Sequence, residues 1–288
     1  MKSLDVPSHD DEATLKDLSE NRKLCSYPHL QHAMLTIQNQ YSNYTSVRGD
    51  PWNVLPLALS DSLRKAIVGH YESPPKALRH LQKLRHESSP DVCPMCGSLG
   101  TGTLDHVLPK ANYPELSIFT KNLVPACGCN SLRSVSFKGS SLGQRVLHPY
   151  YDTCMNQRLV RSAIKGDMAH PLITLHICCD QVPEIEAVKF HVKVVLERTN
   201  ILVFLERQWA SLLRNPQSRF HDRLGPENVD ELAVKQMVER ELAHQDERYE
   251  TPNNWYSMFY SGILESDGVI SWLTMHINEF INGEIQPE

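Results

Sequence analysis

The chain has 288 residues, of which 41% are hydrophobic and 22% charged, a composition typical of one large or two small globular domains. It excludes a largely disordered chain, and no apolar run approaches the ~18 residues that a membrane helix needs. The net charge of −5 argues against a surface coated for non-specific nucleic-acid binding, but it leaves room for a local basic site. The polar, acidic start of the chain lacks the features of a secretory signal, so we expect a cytoplasmic protein without membrane contact.

Residues 1–89 are predicted to form a mainly helical N-terminal region. The pattern indicates helices over 24–41, over 62–71 and over 76–87. The second follows Ser60 and Asp61, which are favourable N-cap residues, and the third follows two prolines suited to a first helical turn. One face of the third helix is basic. We interpret that face as solvated, the alternative being a phosphate-facing helix beside a nucleic-acid site.

Residues 153–288 are predicted to form a C-terminal α+β region. Alternating apolar residues favour strands over 172–178 and 187–195, joined as a hairpin by a turn over 181–186. Helical patterns follow over 200–215, 226–249 and 254–282, and the second of these is strongly acidic. Four aromatic residues at the start of the last pattern indicate core packing or a protein interface rather than base stacking. They are Trp255, Tyr256, Phe259 and Tyr260.

Residues 90–152 hold the chemically informative part of the chain. Of the eight cysteines, Cys93 and Cys96 form one close pair, and Cys127 and Cys129 form a closer one around Gly128. Two such knuckles can complete a tetrahedral Cys₄ zinc site, and glycine would relax the backbone of the shorter one. The alternative is a set of unrelated buried thiols, which the clustering disfavours.

Four polar residues lie around these knuckles without an obvious structural purpose: Asp105, His106, Asn122 and Asn130. Aspartate and asparagine supply hard oxygen ligands that suit Mg²⁺. Histidine is the side chain best able to accept a proton from water near neutral pH. An oxygen-ligated metal beside a histidine base is sufficient for phosphodiester hydrolysis. Because an extended strand would point Asp105 and His106 to opposite faces, this interpretation predicts a bend or bulge there.

The stretch 93–133 resembles the HNH nucleases of the ββα-metal fold, in their zinc-stapled form. The resemblance lies in the order of its parts: a CxxC knuckle, Asp-His, Pro-Lys, Asn-Leu-Val-Pro, a second cysteine knuckle and Asn-x-x-Arg. It implies Asp105 and Asn130 as ligands of Mg²⁺ or Mn²⁺, His106 as general base and Asn122 as the residue that holds the loop and orients His106. It also implies contacts to the substrate phosphate from two basic residues, Arg133 and Lys110.

The sequence departs from the family at the second knuckle, which usually has two residues between its cysteines and here has only Gly128. Either the zinc loop is tighter, or another residue replaces Cys129 as a ligand. The nearest candidates are His148 and Cys154. The segment from His148 to Asp152 is similar to segments that follow the motif in some bacterial HNH proteins, including ones linked to phage defence. Its alternative interpretation is a polar anchor that packs the loop.

We therefore expect an α+β protein with an HNH module over 90–152, acting as a metal-dependent endonuclease on DNA, with RNA left open. Residues 90–150 carry five basic and three acidic side chains, a local excess that favours phosphate. One alternative is a nuclease subunit recruited by a protein partner through the acidic helix or the aromatic residues. The other is a zinc-stabilised binding or scaffold protein without catalysis.

Overall fold

A computed structural model describes residues 1–86, 89–133, 135–220 and 224–284. These residues form an α+β protein with two small antiparallel sheets. The α-helices are α1 (Asp11–Glu20), α2 (His29–Ser46), α3 (Asp61–Glu72), α4 (His80–His86), α5 (Cys129–Arg133), α6 (Ile185–His191), α7 (Ile201–Arg214), α8 (Glu231–Tyr249), α9 (Trp255–Glu265) and α10 (Val269–Ile281). The strands are β1 (Thr103–His106), β2 (Leu123–Ala126), β3 (Val160–Lys165) and β4 (Leu172–Ile177). Across the described ranges, no helix combines the length and the apolar character that spanning a membrane requires.

The N-terminal region is helical, as predicted, although two helices differ from their expected limits. The Ser60 hydroxyl caps α3 by accepting a hydrogen bond from the Leu63 amide. The helix predicted over 24–41 begins only after Pro28 and continues to Ser46. The segment predicted as one helix over 76–87 divides into a 3₁₀ turn, Lys76–Leu78, and α4; its predicted end, Glu87, lies outside the described residues.

The predicted hairpin in the C-terminal region is wrong in its second strand. The strand expected over 172–178 is confirmed as β4, but it pairs with β3, which was not predicted, from Val160↔Ile177 to Lys165↔Leu172. Residues 187–195 instead lie in α6 and in the π-helical segment Val192–Leu196 that continues it. Five buried residues there follow helical spacing. The segment was nevertheless predicted as a strand, because valine has a high β-propensity. They are Ala187, Val188, His191, Val192 and Val195.

The three C-terminal helical patterns are confirmed with changes at their ends. Helix α8 begins five residues later than predicted, where Asp230 accepts a hydrogen bond from the Ala233 amide. The pattern over 254–282 is interrupted by Gly268, whose φ of +71° ends the continuous helix and separates α9 from α10. Of the four aromatic residues, Phe259 and Tyr260 are buried, so their role is core packing.

The candidate site lies where two hydrophobic cores meet. One core is built mainly from α1–α4 and includes Leu104 of β1 and Leu123 of β2. The other is built mainly from the C-terminal elements and includes Val124 and Ala126 of β2. The small β1–β2 sheet therefore packs against both cores. The domain limits expected at 89/90 and 152/153 stay predictions.

Two helical glycines give a matched test of this packing. A Cβ at Gly262 in α9 would lie 2.6 Å from the Ser162 carbonyl oxygen in β3, whereas one at Gly69 in α3 meets no atom within 4 Å. We expect Gly262→Ala to lower the free energy of unfolding, because overpacking costs about 1–3 kcal/mol. Gly69→Ala should raise it by about 0.4–1 kcal/mol through reduced unfolded-state entropy. Chemical denaturation of both variants measures the difference, and equal effects would contradict the close α9–β3 packing.

Candidate functional site

The site is built on the β1–β2 hairpin and on α5, which begins at Cys129, three residues after β2 ends. The strands pair without interruption from Thr103↔Ala126 to His106↔Leu123. The bend predicted between Asp105 and His106 is therefore wrong. Burial alternates along β1, so the two side chains flank the strand end from opposite sides. The Asp105 carboxylate folds back locally and accepts a 2.9 Å hydrogen bond from the His106 amide.

The four predicted zinc-ligand cysteines come together in one cluster. Their sulfur atoms all lie within 4.8 Å of one another, with 3.7 Å between Cys93 and Cys129 and 3.5 Å between Cys96 and Cys127. In a tetrahedral site with Zn–S bonds of about 2.3 Å, the sulfurs lie about 3.8 Å apart. The set is thus compatible with structural zinc. Cys129 belongs to it despite the short spacing, and neither His148 nor Cys154 does.

The C-terminal core holds the first knuckle through its backbone carbonyls. The Trp255 indole N–H donates to the Cys96 carbonyl at 2.8 Å. His191, which is fully buried, donates from Nε2 to the Met95 carbonyl at 2.6 Å and accepts at Nδ1 from the Leu147 amide. These contacts fix the knuckle without using its sulfurs.

The two glycines beside the knuckles have different roles. Gly97 has a φ of +80°, and a Cβ there would overlap the Asn253 carbonyl. Gly128 is not among the residues with positive φ, and a Cβ there would meet nothing within 4 Å. Glycine is therefore required by backbone conformation at Gly97, whereas the predicted need for it at Gly128 is not supported.

His106 is held as a neutral imidazole with one nitrogen available. Its ring is 5% exposed, and Nε2 lies 2.9 Å from the Ser117 carbonyl oxygen. Because a carbonyl only accepts, Nε2 carries the proton and Nδ1 carries the lone pair. Burial, assisted by the charges of Lys110 and Arg133, lowers the pKa of His106 to about 4. The Tyr71 ring packs edgewise against it, with 4.4 Å between centroids.

Asn122 is fully buried and uses its complete hydrogen-bonding capacity, with three bonds to the loop between β1 and β2 and one to Tyr44 of α2. Its Oδ1 accepts from the Leu108 amide at 2.8 Å and from the Tyr44 hydroxyl at 3.1 Å. Its Nδ2 donates to the carbonyls of Leu108 at 3.0 Å and Leu116 at 3.3 Å. Leu116 precedes Ser117, the partner of His106, so Asn122 fixes the carbonyl that orients the ring.

Behind Asn122 lies a buried relay that includes a residue the sequence did not reveal. The Tyr150 amide donates to His148 Nδ1, so His148 carries its proton on Nε2, 2.8 Å from the Tyr44 hydroxyl oxygen. Tyr44 in turn donates to Asn122. His148 thus acts as the polar anchor that was one interpretation of its segment. No motif marks Tyr44, which lies 78 residues before Asn122.

Asp105 and Asn130 face each other across the end of β1. Burial raises the pKa of Asp105, while the His106 amide, the Arg133 charge and the Asn130 amide oppose that rise. Even so, the buried Asn130 Nδ2 makes no hydrogen bond of normal length with any described residue. The unsatisfied Nδ2 is an N–H donor and cannot bind a cation; the oxygen atoms that could hold Mg²⁺ here are those of the Asp105 carboxylate and Asn130 Oδ1, which also accepts from Arg133 Nε.

The two predicted phosphate contacts differ in accessibility. Arg133 is 1% exposed, and each of its guanidinium nitrogens donates within the protein. Its Nη2 lies 2.6 Å from the His106 carbonyl oxygen, and its Nε lies 3.2 Å from Asn130 Oδ1. This geometry favours a positioning role over phosphate contact. Lys110 is 34% exposed and pairs at 2.7 Å with Glu72 on the surface, so its ammonium is accessible to an anion.

A short stretch of the chain is similar to a phage protein. No family model matches the chain, and no solved structure matches it. Protein ea31 of Escherichia phage lambda is 42% identical over 67 residues. That match covers 23% of this chain and 23% of the phage protein, so the chain spans about a quarter of the relative it matches.

Two buried tyrosines test the relay behind Asn122. Tyr44→Phe removes a donor to Asn122 and also the hydroxyl acceptor 2.8 Å from the buried His148 Nε2, which leaves that proton only the Lys121 backbone. Tyr150→Phe removes only a donor to the Leu123 carbonyl. Because an unsatisfied buried polar group costs about 1–3 kcal/mol, Tyr44→Phe should lower the free energy of unfolding more than Tyr150→Phe. Urea denaturation of both variants measures this, and an equal or smaller loss for Tyr44→Phe would contradict the relay.

Proposed function

We propose that the protein is a metal-dependent endonuclease of the HNH type that hydrolyses phosphodiester bonds in DNA. The observation that carries the proposal is the hydrogen-bonded framework that joins the end of β1, the turn before β2 and the start of α5. Arg133 bonds both Asn130 and the His106 carbonyl, and Asn122 fixes the loop that orients the His106 ring, although His106 and Asp105 leave β1 on opposite sides. The order of β1, β2 and α5 is also the order that the resemblance implies. Two strands and a short helix alone are a common arrangement, so the proposal depends on the side chains.

In this proposal His106 is the general base. Its Nδ1 lone pair accepts the proton of the attacking water, while the bond from Nε2 to the Ser117 carbonyl keeps the ring oriented. A pKa near 4 in the free protein leaves the ring unprotonated at neutral pH. A bound phosphate brings negative charge close to the ring and raises this pKa, which strengthens the base where it is used.

Asp105 and Asn130 are the proposed holders of Mg²⁺ or Mn²⁺. When bound, such an ion would neutralise charge on the phosphoryl group and on the leaving oxygen. Arg133 supports this pair from within the protein, because it hydrogen-bonds both Asn130 and the backbone carbonyl of His106. Substitution of Arg133 would therefore disturb both sides of the site together.

Lys110 is the proposed phosphate contact from the module. The basic helix α4 offers a second, since Arg85 interacts with Tyr71, whose ring packs on His106. This supports the phosphate-facing interpretation of that helix over a purely solvated face. Zinc in the four-cysteine cluster is the proposed structural ion, holding the two knuckles that bracket the hairpin.

The catalytic proposal is tested by cleavage of supercoiled plasmid with excess Mg²⁺. Loss of a general base costs ~10²–10⁴-fold in rate, so His106→Ala should lose that much, while His86→Ala, exposed on α4, should cleave as wild type. Brief EDTA treatment should stop cleavage, and Mg²⁺ or Mn²⁺ should restore it. Near wild-type cleavage by His106→Ala would remove that residue from the mechanism.

The same assay separates the alternatives. A folded wild-type protein that cleaves neither DNA nor RNA, alone or with co-purified partners, would favour a binding or scaffold role. Activity that appears only with a partner would identify a nuclease subunit. Two surfaces were expected to recruit that partner, the acidic helix α8 and the aromatic residues of α9. Because Phe259 and Tyr260 are buried, α8 is the stronger candidate.

The structural ion is tested by metal analysis and thermal melting. Cys93→Ser and Cys96→Ser should each release zinc and lower the melting temperature, because structural zinc contributes about 10–16 kcal/mol of apparent binding energy in small domains. Cys25→Ser is the matched control, since Cys25 is an exposed thiol outside the cluster and should change neither quantity. Freshly purified wild-type protein without zinc would contradict this assignment.

A further inference from the structure

A second group of metal-ligating side chains lies in the N-terminal region, apart from the cysteines and from Asp105. The ligand atoms of His9, Asp11 and His80 all lie within 4.8 Å of one another. His9 precedes α1, Asp11 is its first residue, and His80 is the first residue of α4. The two imidazole rings are stacked, with 3.5 Å between their centroids; because imidazole lone pairs lie in the ring plane, both rings would turn out of the stack to bind one ion. Residues about 70 positions apart in the chain are thus brought to one point.

One ring nitrogen in this group lacks a partner. His80 Nε2 is buried and makes no hydrogen bond to any residue in the described ranges. The Ala77 backbone hydrogen-bonds the same ring, and since Nε2 has no partner, that bond belongs to Nδ1. A buried nitrogen with a free lone pair calls for a bound ion or water.

Each of the three side chains also has the outer partner that metal ligands require. Metal-bound histidines donate their other N–H to a neighbouring acceptor, and bound carboxylates are themselves hydrogen-bonded. His9 Nε2 lies 2.8 Å from the Thr14 hydroxyl oxygen, which leaves Nδ1 for an ion. Both Asp11 oxygens accept from Thr120, at 3.1 Å from its amide and 2.6 Å from its hydroxyl. The Ala77 backbone serves His80 in the same way.

We propose that His9, Asp11 and His80 form a binding site for a divalent transition-metal ion, with zinc as the ion best suited to two imidazoles and one carboxylate. Three protein ligands leave one position open for water or a small anion. Cavities reach His9 from two sides, one past Tyr41 and Lys121 and the other past Pro7 and Leu84, so the open position is reachable from solvent.

An ion at this site would connect the segment before α1 to α4. Through the two bonds from Asp11 to Thr120, it would also brace the segment that leads into Asn122. The ligand atoms of this site, two imidazole nitrogens and a carboxylate oxygen, differ from those of the other two candidate sites. The cysteine cluster offers only sulfur, and the Asp105–Asn130 pair offers only oxygen. The inference does not depend on nuclease activity, since it concerns binding of an ion by separate residues.

Cobalt titration distinguishes the three sites. Protein with zinc in the cysteine cluster is stripped of labile metal with mild chelator, held in excess Mg²⁺, and titrated with Co²⁺. We expect one equivalent to bind, with visible d–d absorption and without the near-ultraviolet charge-transfer band of cobalt–thiolate bonds. Competition with Zn²⁺ should abolish the signal, because zinc binds imidazole sites at least as well as cobalt.

Variants locate the ion. His80→Ala should weaken cobalt binding by more than the ~10–100-fold that loss of an outer partner alone costs, and His86→Ala on the same helix should bind as wild type. His9→Gln, at a half-buried position, provides a second test if His80→Ala does not fold by circular dichroism. Absence of binding to wild-type protein, or wild-type binding by a folded His80→Ala or His9→Gln, would overturn the site.

Discussion

The four hydrogen bonds of the buried Asn122 amide are the constraint on which the geometry of the candidate site depends. The segment between β1 and β2 spans residues 107–122 and includes two short 3₁₀ turns, Pro114–Leu116 and Thr120–Asn122; a connection of this length with so little regular structure is uncommon in a compact protein. From the end of this loop, Asn122 bonds the backbone at Leu108, near the loop's start, and at Leu116, just past its middle. These bonds from one side chain close the loop. The closed loop holds the Ser117 carbonyl oxygen against Nε2 of His106.

Arg133 provides the corresponding constraint on the other side of the hairpin. A buried charge is costly unless it is paired and fully hydrogen-bonded. Here the guanidinium bonds two carbonyls at the end of β1, at His106 and Val107, and the Asn130 side chain within α5. The charge of Asp105 acts on it through space. One side chain thus sets the distance between the strand that carries Asp105 and the helix that carries Asn130.

The parts of the site that could be predicted from the sequence are those with local signals. The spacing of the cysteine pairs predicts that the four sulfur atoms cluster, and Ser60 predicts a helix start as an N-cap residue. The residues that hold His106 and Asn122 in place carry no such signal, because Tyr71 and Tyr44 reach them from helices α3 and α2. The strand wrongly predicted over 187–195 has the same cause. Its valines alternate as in a strand, and only the packing of α6 in the tertiary core shows which of its residues are buried.

The segment from Cys93 to Arg133 is too short to bury a core of its own, and it packs against the two hydrophobic cores formed with the rest of the chain. Neighbouring residues enter different cores at two points: Val107 and Val124 enter the C-terminal core, whereas Leu108 and Leu123 enter the helical one. The β1–β2 hairpin therefore lies between the two cores. The cysteine cluster lies at the end of the hairpin where Thr103 pairs with Ala126, and Asn122 lies at the other end, where His106 pairs with Leu123. Leu104 of β1 packs in the helical core, whereas Val107, which directly follows His106, packs in the C-terminal core, so packing changes far from the site can alter the orientation of the His106 ring.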